Sequence, residues 1–357
     1  MKTTLLTGFI VLSGLFVSAQ INVDNGAPPS LHYKIVNKIH IHGEQGWDYL
    51  TVDEESNTLY VSHGTRVEVI DLKTSKLVDS ITGLNGVHGI ALAAEYNKGF
   101  ITEGKDTAVT VFDMSTHKVL AKIKVTGLGP DAIVYDKFTK RIFTMNGHGQ
   151  SATVIDAKTN AIVGTIKLDG KPEFCVADGK GKLYLNMEDK NAMAEIDAND
   201  MKVLRQWSVA PGTSPSGLAM DTKNRKLFSV CDNKMMVVSD ADKGKVDTTV
   251  TIGYMPDAAA FDPKRMRVYS SNGDGTMTVI SDSAGTYKVL ENVKTQSRAK
   301  TMAINTKTHH FYLPAGEMKP LPPVRAGVEK PKPGVKEGTF VILDIQYMDI
   351  TAHPKEK

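Results

Sequence analysis

Seven polar residues recur at nearly even intervals along this chain: Asp48, His88, Asp131, Glu173, Ser216, Asp257 and Lys300, separated by 40, 43, 42, 43, 41 and 43 positions. Four carboxylates, an imidazole, a hydroxyl and an ammonium group can together hold a polar ligand, polarise a substrate or bind a cation. They can cooperate only if the fold collects seven distant places at one opening. Trp47 and Tyr49 flank the first of them and are candidates for stacking on a planar or sugar-like ligand. Crowding of Asp48, Asp131, Glu173 and Asp257 is expected to raise some of their pKa values unless a cation sits among them. Two positions beyond each polar residue come Leu50, Ile90, Ile133, Cys175, Leu218, Ala259 and Met302, the material of an apolar throat under a polar rim.

A second periodic set, His63, Glu103, Asn146, Met187, Cys231, Asn272 and Ala315, is expected to form another tier of the opening, with the loop residues His148, Glu188, Asp232, Asp274 and Glu317 nearby. His63, His88 and Glu103, beside Asp48, are a ligand set of the kind that zinc or another divalent transition metal takes. An all-carboxylate calcium site is a further alternative. The plainer alternative is that the rim residues satisfy exposed backbone groups or hold channel water.

What could position these residues is a repeat of about 42 residues, the period range of four-stranded propeller blades. Aligning the chain on Tyr60 gives Phe100, Phe143, Tyr184, Phe228, Tyr269 and Tyr312 at the matching positions. Aromatic residues make up 7% of the chain, so seven out of seven is not a chance alignment. Asp71, Asp113, Asp156, Asp197 and Asp240 form a second column, each ending an apolar run and opening a polar turn. Asp53, Asp136, Asp178, Asp221 and Asp262 form a third, read as turn formers. Within the third repeat, strands are expected at 131–135, 141–145, 152–155 and 162–168, separated by turn residues and rich in Val, Ile, Thr, Tyr and Phe. No segment sustains a capped 3.6-residue apolar period, which excludes a helical solenoid.

The seventh repeat supplies strands at 300–305, 310–313 and 339–343 but no convincing fourth. Residues 33–41 (YKIVNKIHI) carry the missing pattern ahead of the first repeat. The expected fold is therefore all-β: a seven-bladed β-propeller over 33–345, closed by the N-terminal strand completing blade seven. His309-His310, on the turn side of strand two, reads as surface. Residues 316–338, with five prolines, are an insertion in blade seven: a lid, a docking segment or merely a tolerated loop. Cys175 and Cys231 could pair in an oxidising compartment, but their strands differ in radius, so both are expected unpaired and sheltered.

The Tyr-Val-Ser and Phe-Thr-Met-Asn segments followed by Val-Ile-Asp-x-x-Thr resemble the YVTN-repeat propellers, the YncE-like group of exported bacterial proteins. The resemblance covers 33–345. It implies a periplasmic or cell-surface propeller with a binding role and carries over no chemistry.

The first residues point to export on their own. Met1-Lys2 is followed by an apolar run from Leu5 to Val17 and a small-residue cleavage pattern, Val17-Ser18-Ala19, before Gln20. A signal peptide at 1–19, an extension at 20–32, a C-terminal tail at 346–357 and a periplasmic or secreted location are expected, with no transmembrane segment and a monomeric state. Charged residues are 23% of the chain and the formal charge is only +3, so with an acidic rim no nucleic-acid partner is expected. No nucleophile elbow, phosphate loop, zinc-protease helix or dinucleotide fingerprint occurs. Two functional readings stay open: a protein that binds a small molecule or a protein partner at the channel mouth, and a metal-assisted lyase or hydrolase built on the His/carboxylate rim.

Overall fold

Each repeat is one antiparallel sheet in the computed structural model, which describes residues 32–320 and 334–348. Seven four-stranded sheets stand in succession. Blade one runs Trp47–Asp53, Thr58–His63, Arg66–Asp71 and Lys76–Ile81. Blade three runs Pro130–Asp136, Arg141–Asn146, Ser151–Asp156 and Ile162–Lys167, close to the expected strands. The only helical elements among the described residues are two short 3-10 turns, Ala94–Tyr96 and Glu188–Lys190. The expected signal peptide, most of the 20–32 extension, residues 321–333 of the insertion and most of the tail lie outside the described residues.

Burial follows position within the blade. Strands two and three are buried almost continuously, as in Arg141–Asn146 and Ser151–Asp156, because both faces of the sheet meet a neighbouring blade. The outermost strands, such as Val119–Lys124, keep much of their surface in solvent. The seven aromatic residues of the repeat column are all core, none more than 3% exposed. Asp53, Asp136, Asp178, Asp221 and Asp262 each accept the backbone N–H two residues on, which closes the turn between strands one and two.

Blade two solves the packing differently. Opposite Phe112 lies Gly99, where the same cross-strand pair is Leu59–Ile70 in blade one and Ile142–Ile155 in blade three. The Phe112 ring fills the space a side chain would take: a Cβ on Gly99 would fall 2.0 Å from the ring.

Tyr33–His40 pairs antiparallel with Val341–Tyr347, from Tyr33 opposite Tyr347 to His40 opposite Val341, and so completes blade seven. The Tyr33 hydroxyl lies 2.8 Å from that of Tyr269 and accepts a 2.8 Å bond from Arg267, which ties the closing strand to blade six. Strand one of this blade is shorter than expected, Ala303–Asn305, and the chain turns over 296–299 ahead of it.

The reading of His309-His310 as surface is corrected. His309 is buried, its Nδ1 2.6 Å from Asp262 in the preceding blade, and His310 is half-buried with Nδ1 2.8 Å from Asp344. Both histidines join strands or blades and face away from open solvent. Cys175 and Cys231 are buried and unpaired.

Deleting residues 33–40 leaves Val341–Tyr347 as an open edge and uncovers Tyr269 and Phe311. The deletion is expected to abolish the cooperative thermal transition or to drive aggregation, read by calorimetry and light scattering. Gly99→Ala overpacks Phe112 and is expected to cost about 1–3 kcal/mol, visible as a lower urea midpoint with unchanged slope.

Candidate functional site

The rim residues are aimed by a recurrent irregularity. In blades one to six the first strand slips register as it enters the sheet: between Trp47 and Leu50, Val87 and Ile90, Pro130 and Ile133, Pro172 and Cys175, Pro215 and Leu218, and Pro256 and Ala258. Each slip contains the rim residue of its blade. A bulge bends the strand and re-aims the side chain it carries, here toward the channel mouth. In four of the six a proline stands at the strand's first position, where its missing N–H costs the ladder least.

Buried polar side chains then stitch each rim to the next. Thr102 donates to the Asp131 carbonyl, Asn186 to that of Ser216, Ser271 to that of Lys300 and Thr301 to that of Asp48. Ser62 accepts the Asp48 N–H at 2.9 Å. The sequence reasoning missed these residues. Their signal was a polar residue one place before the end of strand two (Ser62, Thr102, Asn186, Ser271).

The rim resolves into three charge-paired sectors. His88 Nδ1 lies 2.7 Å from Asp48 Oδ2 and 3.6 Å from Asp131 Oδ1. Lys171, not anticipated, pairs with Glu173 at 2.7 Å and also with Glu188. Asp257 accepts a 2.7 Å bond from the Ser216 hydroxyl and a 2.5 Å bond from Lys300. Asp48, Asp131, Glu173, Ser216, Asp257 and Lys300 line one cavity of about 370 Å³, joined by Glu188 and Asp232 from the neighbouring turns.

Tyr49 lines that cavity, and Phe174 packs against it on the throat side. They come from blades one and four and meet with ring centroids 5.5 Å apart. On their other side lies the apolar throat, about 410 Å³, with Leu50, Ile90, Ile133 and Cys175 in its walls as expected. Trp47, in contrast, is no rim residue: it stacks on Phe340 at 5.3 Å in the cluster containing Ile39 and Leu50. It precedes the bulge, so its ring falls on the blade-seven side of the sheet.

The expected second tier does not reach the mouth. His63, Glu103, Asn146, Met187, Cys231, Asn272 and Ala315 are all fully buried, because the last residue of strand two pairs with strand one and points between blades. The trio His63, His88 and Glu103 is consequently not assembled. His63 Nδ1 is 2.8 Å from Glu68 and its ring stacks on Phe340, while Glu103 bonds Thr110 and Lys122. The side chains that do converge with His88 are Asp48 and Asp131.

Burial, more than mutual repulsion, sets the proton affinities. It raises Asp131 to about 6, with the Asp48 charge adding to the effect and His88 opposing it. Burial likewise raises Glu173 to about 8 against the pull of its Lys171 bond, with Asp131 contributing. The Tyr49 hydroxyl is pushed well above its usual range by burial and then by Asp131, Asp48, Glu173 and Asp257. Desolvation pulls the Lys300 ammonium down, but the charge and hydrogen bond of Asp257, with Asp48 and Glu173 behind, hold it above the ordinary value.

Fold and mouth together define a seven-bladed β-propeller with a polar, net acidic opening. No known family profile matches the chain. It is weakly homologous to YncE proteins and to a leptospiral antigen. It is 22% identical to the uncharacterized protein YncE of Salmonella typhimurium over 276 residues, 74% of this chain and 67% of that protein. It is 25% identical to Antigen Lp49 of Leptospira interrogans over 185 residues, half of this chain and 40% of Lp49, so the match spans less than half of that relative. Among solved structures, the WD40 repeats of RRP9 superpose with a TM-score of 0.73 at 8% identity, covering 88% of this chain and 100% of the other. These likenesses agree with a YncE-like propeller and carry no assignment of chemistry.

The Glu173 shift has a measurable sign. The folded protein keeps a proton on Glu173 up to about pH 8 that the unfolded chain releases near 4.5, so this group's stabilising contribution is full below 4.5 and is lost as pH rises through 8. The wild type is expected to lose Tm between pH 5 and pH 8 on this account, and Glu173→Gln to flatten that decline, measured by scanning calorimetry across the range.

Proposed function

We propose that this chain is an exported binding protein whose channel mouth takes a small ligand carrying an ammonium group. The observation that carries this reading is the cavity of about 370 Å³ lined by six carboxyl groups and the Lys300 ammonium group, with Lys171 and His88 bonded to its rim. That volume lies in the range of small-molecule sites. The excess of carboxylates favours a cation or zwitterion over an anion, and it opposes the phosphate backbone of a nucleic acid. In this reading the ammonium group of the ligand goes to Asp232, beside the Glu188–Lys171 pair. The Lys300–Asp257–Ser216 sector offers a counter-charge and a hydroxyl to the other end of a zwitterion, and the Tyr49 ring, backed by Phe174, gives its carbon skeleton an apolar surface.

Export rests on the first nineteen residues and on likeness to the YncE group. No helix among the described residues is long and apolar enough to cross a membrane. The metal-assisted lyase or hydrolase alternative draws its one support from His88 lying between two carboxylates, and it requires a resident ion.

A thermal-shift screen of amino acids, amines, neutral sugars and carboxylic acids against the purified mature chain tests the binding reading. Amines or amino acids are expected to raise Tm, and Asp232→Asn to weaken the best of them about tenfold by calorimetric titration, the loss of one charge-assisted bond. Stabilisation by acids or neutral sugars alone would reverse the charge assignment. N-terminal sequencing of protein recovered outside the cytoplasm is expected to begin at Gln20.

A further inference from the structure

We propose that Asp48, His88 and Asp131 form a site for one first-row divalent transition ion, of the zinc or manganese class, in the sector of the mouth built by blades one to three. Three consecutive blades each deliver one donor from the bulge at the start of strand one. The donor atoms of the three side chains all lie within 4.8 Å of one another, and no other trio of His, Cys, Asp or Glu among the described residues converges in this way. An ion about 2.0–2.2 Å from each donor holds its donors roughly 3–3.4 Å apart. The two spacings at His88 Nδ1, 2.7 Å to Asp48 and 3.6 Å to Asp131, fall on either side of that range, so ion entry lengthens the first and shortens the second.

A second observation points to something missing from the pocket. Asp131 Oδ1 is withdrawn from solvent and has no hydrogen-bond partner. A buried carboxylate oxygen without a donor is costly, and in folded proteins such atoms are almost always satisfied. The other carboxylate sectors of the mouth each hold an ammonium group, Lys171 for Glu173 and Glu188, and Lys300 for Asp257. Asp48 and Asp131 share only the imidazole between them.

The donors are also held in place from behind, as metal ligands commonly are. The Asp48 backbone is clamped by Ser62 on its N–H and Thr301 on its carbonyl, and the Asp131 carbonyl by Thr102. Two glycines let the parts approach. A Cβ on Gly89 would fall 2.8 Å from the Asp131 carbonyl oxygen, and one on Gly104 would fall 2.7 Å from His88 Nε2.

The donor set chooses the ion. One imidazole nitrogen and two carboxylate oxygens suit zinc or manganese, whereas calcium requires six to eight oxygens and magnesium a near-ideal oxygen octahedron. Three protein ligands leave at least one position open to the mouth, the arrangement of a site that also accepts a ligand. A competing occupant of the same space is a proton, giving an imidazolium bonded to both carboxylates, and the experiment separates the two.

The mature protein is stripped with EDTA, dialysed against Zn²⁺ or Mn²⁺, desalted and assayed by elemental analysis, with calorimetric titration and Tm as second readouts. One ion per chain and a raised Tm are expected for at least one metal. His88→Gln and Asp131→Asn should each weaken binding more than about tenfold, while Lys202→Ala, on the exposed outer strand of blade four, should bind as the wild type does. Far-UV dichroism of the metal-free variants establishes that they are folded. Absence of retained ion together with no Tm response to either metal overturns the site, as does undiminished binding by folded His88→Gln. Binding of an amine to the stripped protein is scored independently, so the ligand reading and the metal site fail separately.

Discussion

Closure of the ring is the constraint on which everything else depends. Each four-stranded sheet has two apolar faces, and neither can be buried inside a single blade. Only a circle of blades covers both. The circle is shut by eight residues, Tyr33–His40, that travel from the start of the described chain to pair with its last strand. Without that pairing the edge Val341–Tyr347 is unmatched and the blade six–blade seven interface, with Tyr33, Tyr269 and Phe311 in edge-to-face and tilted contact, loses one wall. Strand pairing at one seam therefore maintains a mouth to which all seven blades contribute.

The mouth inherits its precision from backbone defects and buried hydroxyls. A bulge at the entry of strand one would weaken any ordinary sheet, yet here it recurs in six blades at the residue that faces the channel. Thr102, Asn186 and Thr301 bind carbonyls at that irregularity, and Ser271 binds the Lys300 carbonyl of blade seven, each bond crossing from one blade to the next. The interactions that satisfy the defect also fix the spacing between rim side chains. Charge is then distributed unevenly: two sectors contain lysine, and the Asp48–His88–Asp131 sector contains only an imidazole. A ring of similar units thus presents a chemically asymmetric opening.

Much of the fold was legible because its signals are local and repeated. A period near 42 residues, an aromatic column and two aspartate columns are visible without any tertiary knowledge, and the closing strand could be matched by pattern to strand four of other blades. The rim was legible for the same reason, since a fixed offset from the aromatic column picks it out. Offset alone fails where strand alternation decides direction. His63 and Glu103 hold equally regular positions, but they follow the residues that face the next rim by one place, and that single step turns them into the sheet interface. Trp47 differs from Asp48 by the same one step and packs on Phe340 instead of facing a ligand. His309 shows the converse: a turn position that reads as exposed is buried because the neighbouring blade brings Asp262 against it.

The residue string by itself determined that seven equivalent sheets form, where each begins and ends, and which polar residues share a level around the axis. Those follow from short-range propensity and from repetition, which reach only along the chain. Which of those residues touch was decided by tertiary structure alone. Asp48 meets His88 across 40 positions, Tyr49 meets Phe174 from blades that are far apart in sequence, and Lys171 enters the mouth without any periodic mark. Contact, burial and the proton affinities of Asp131 and Glu173 arise from distances through space, and those exist only once the ring has closed.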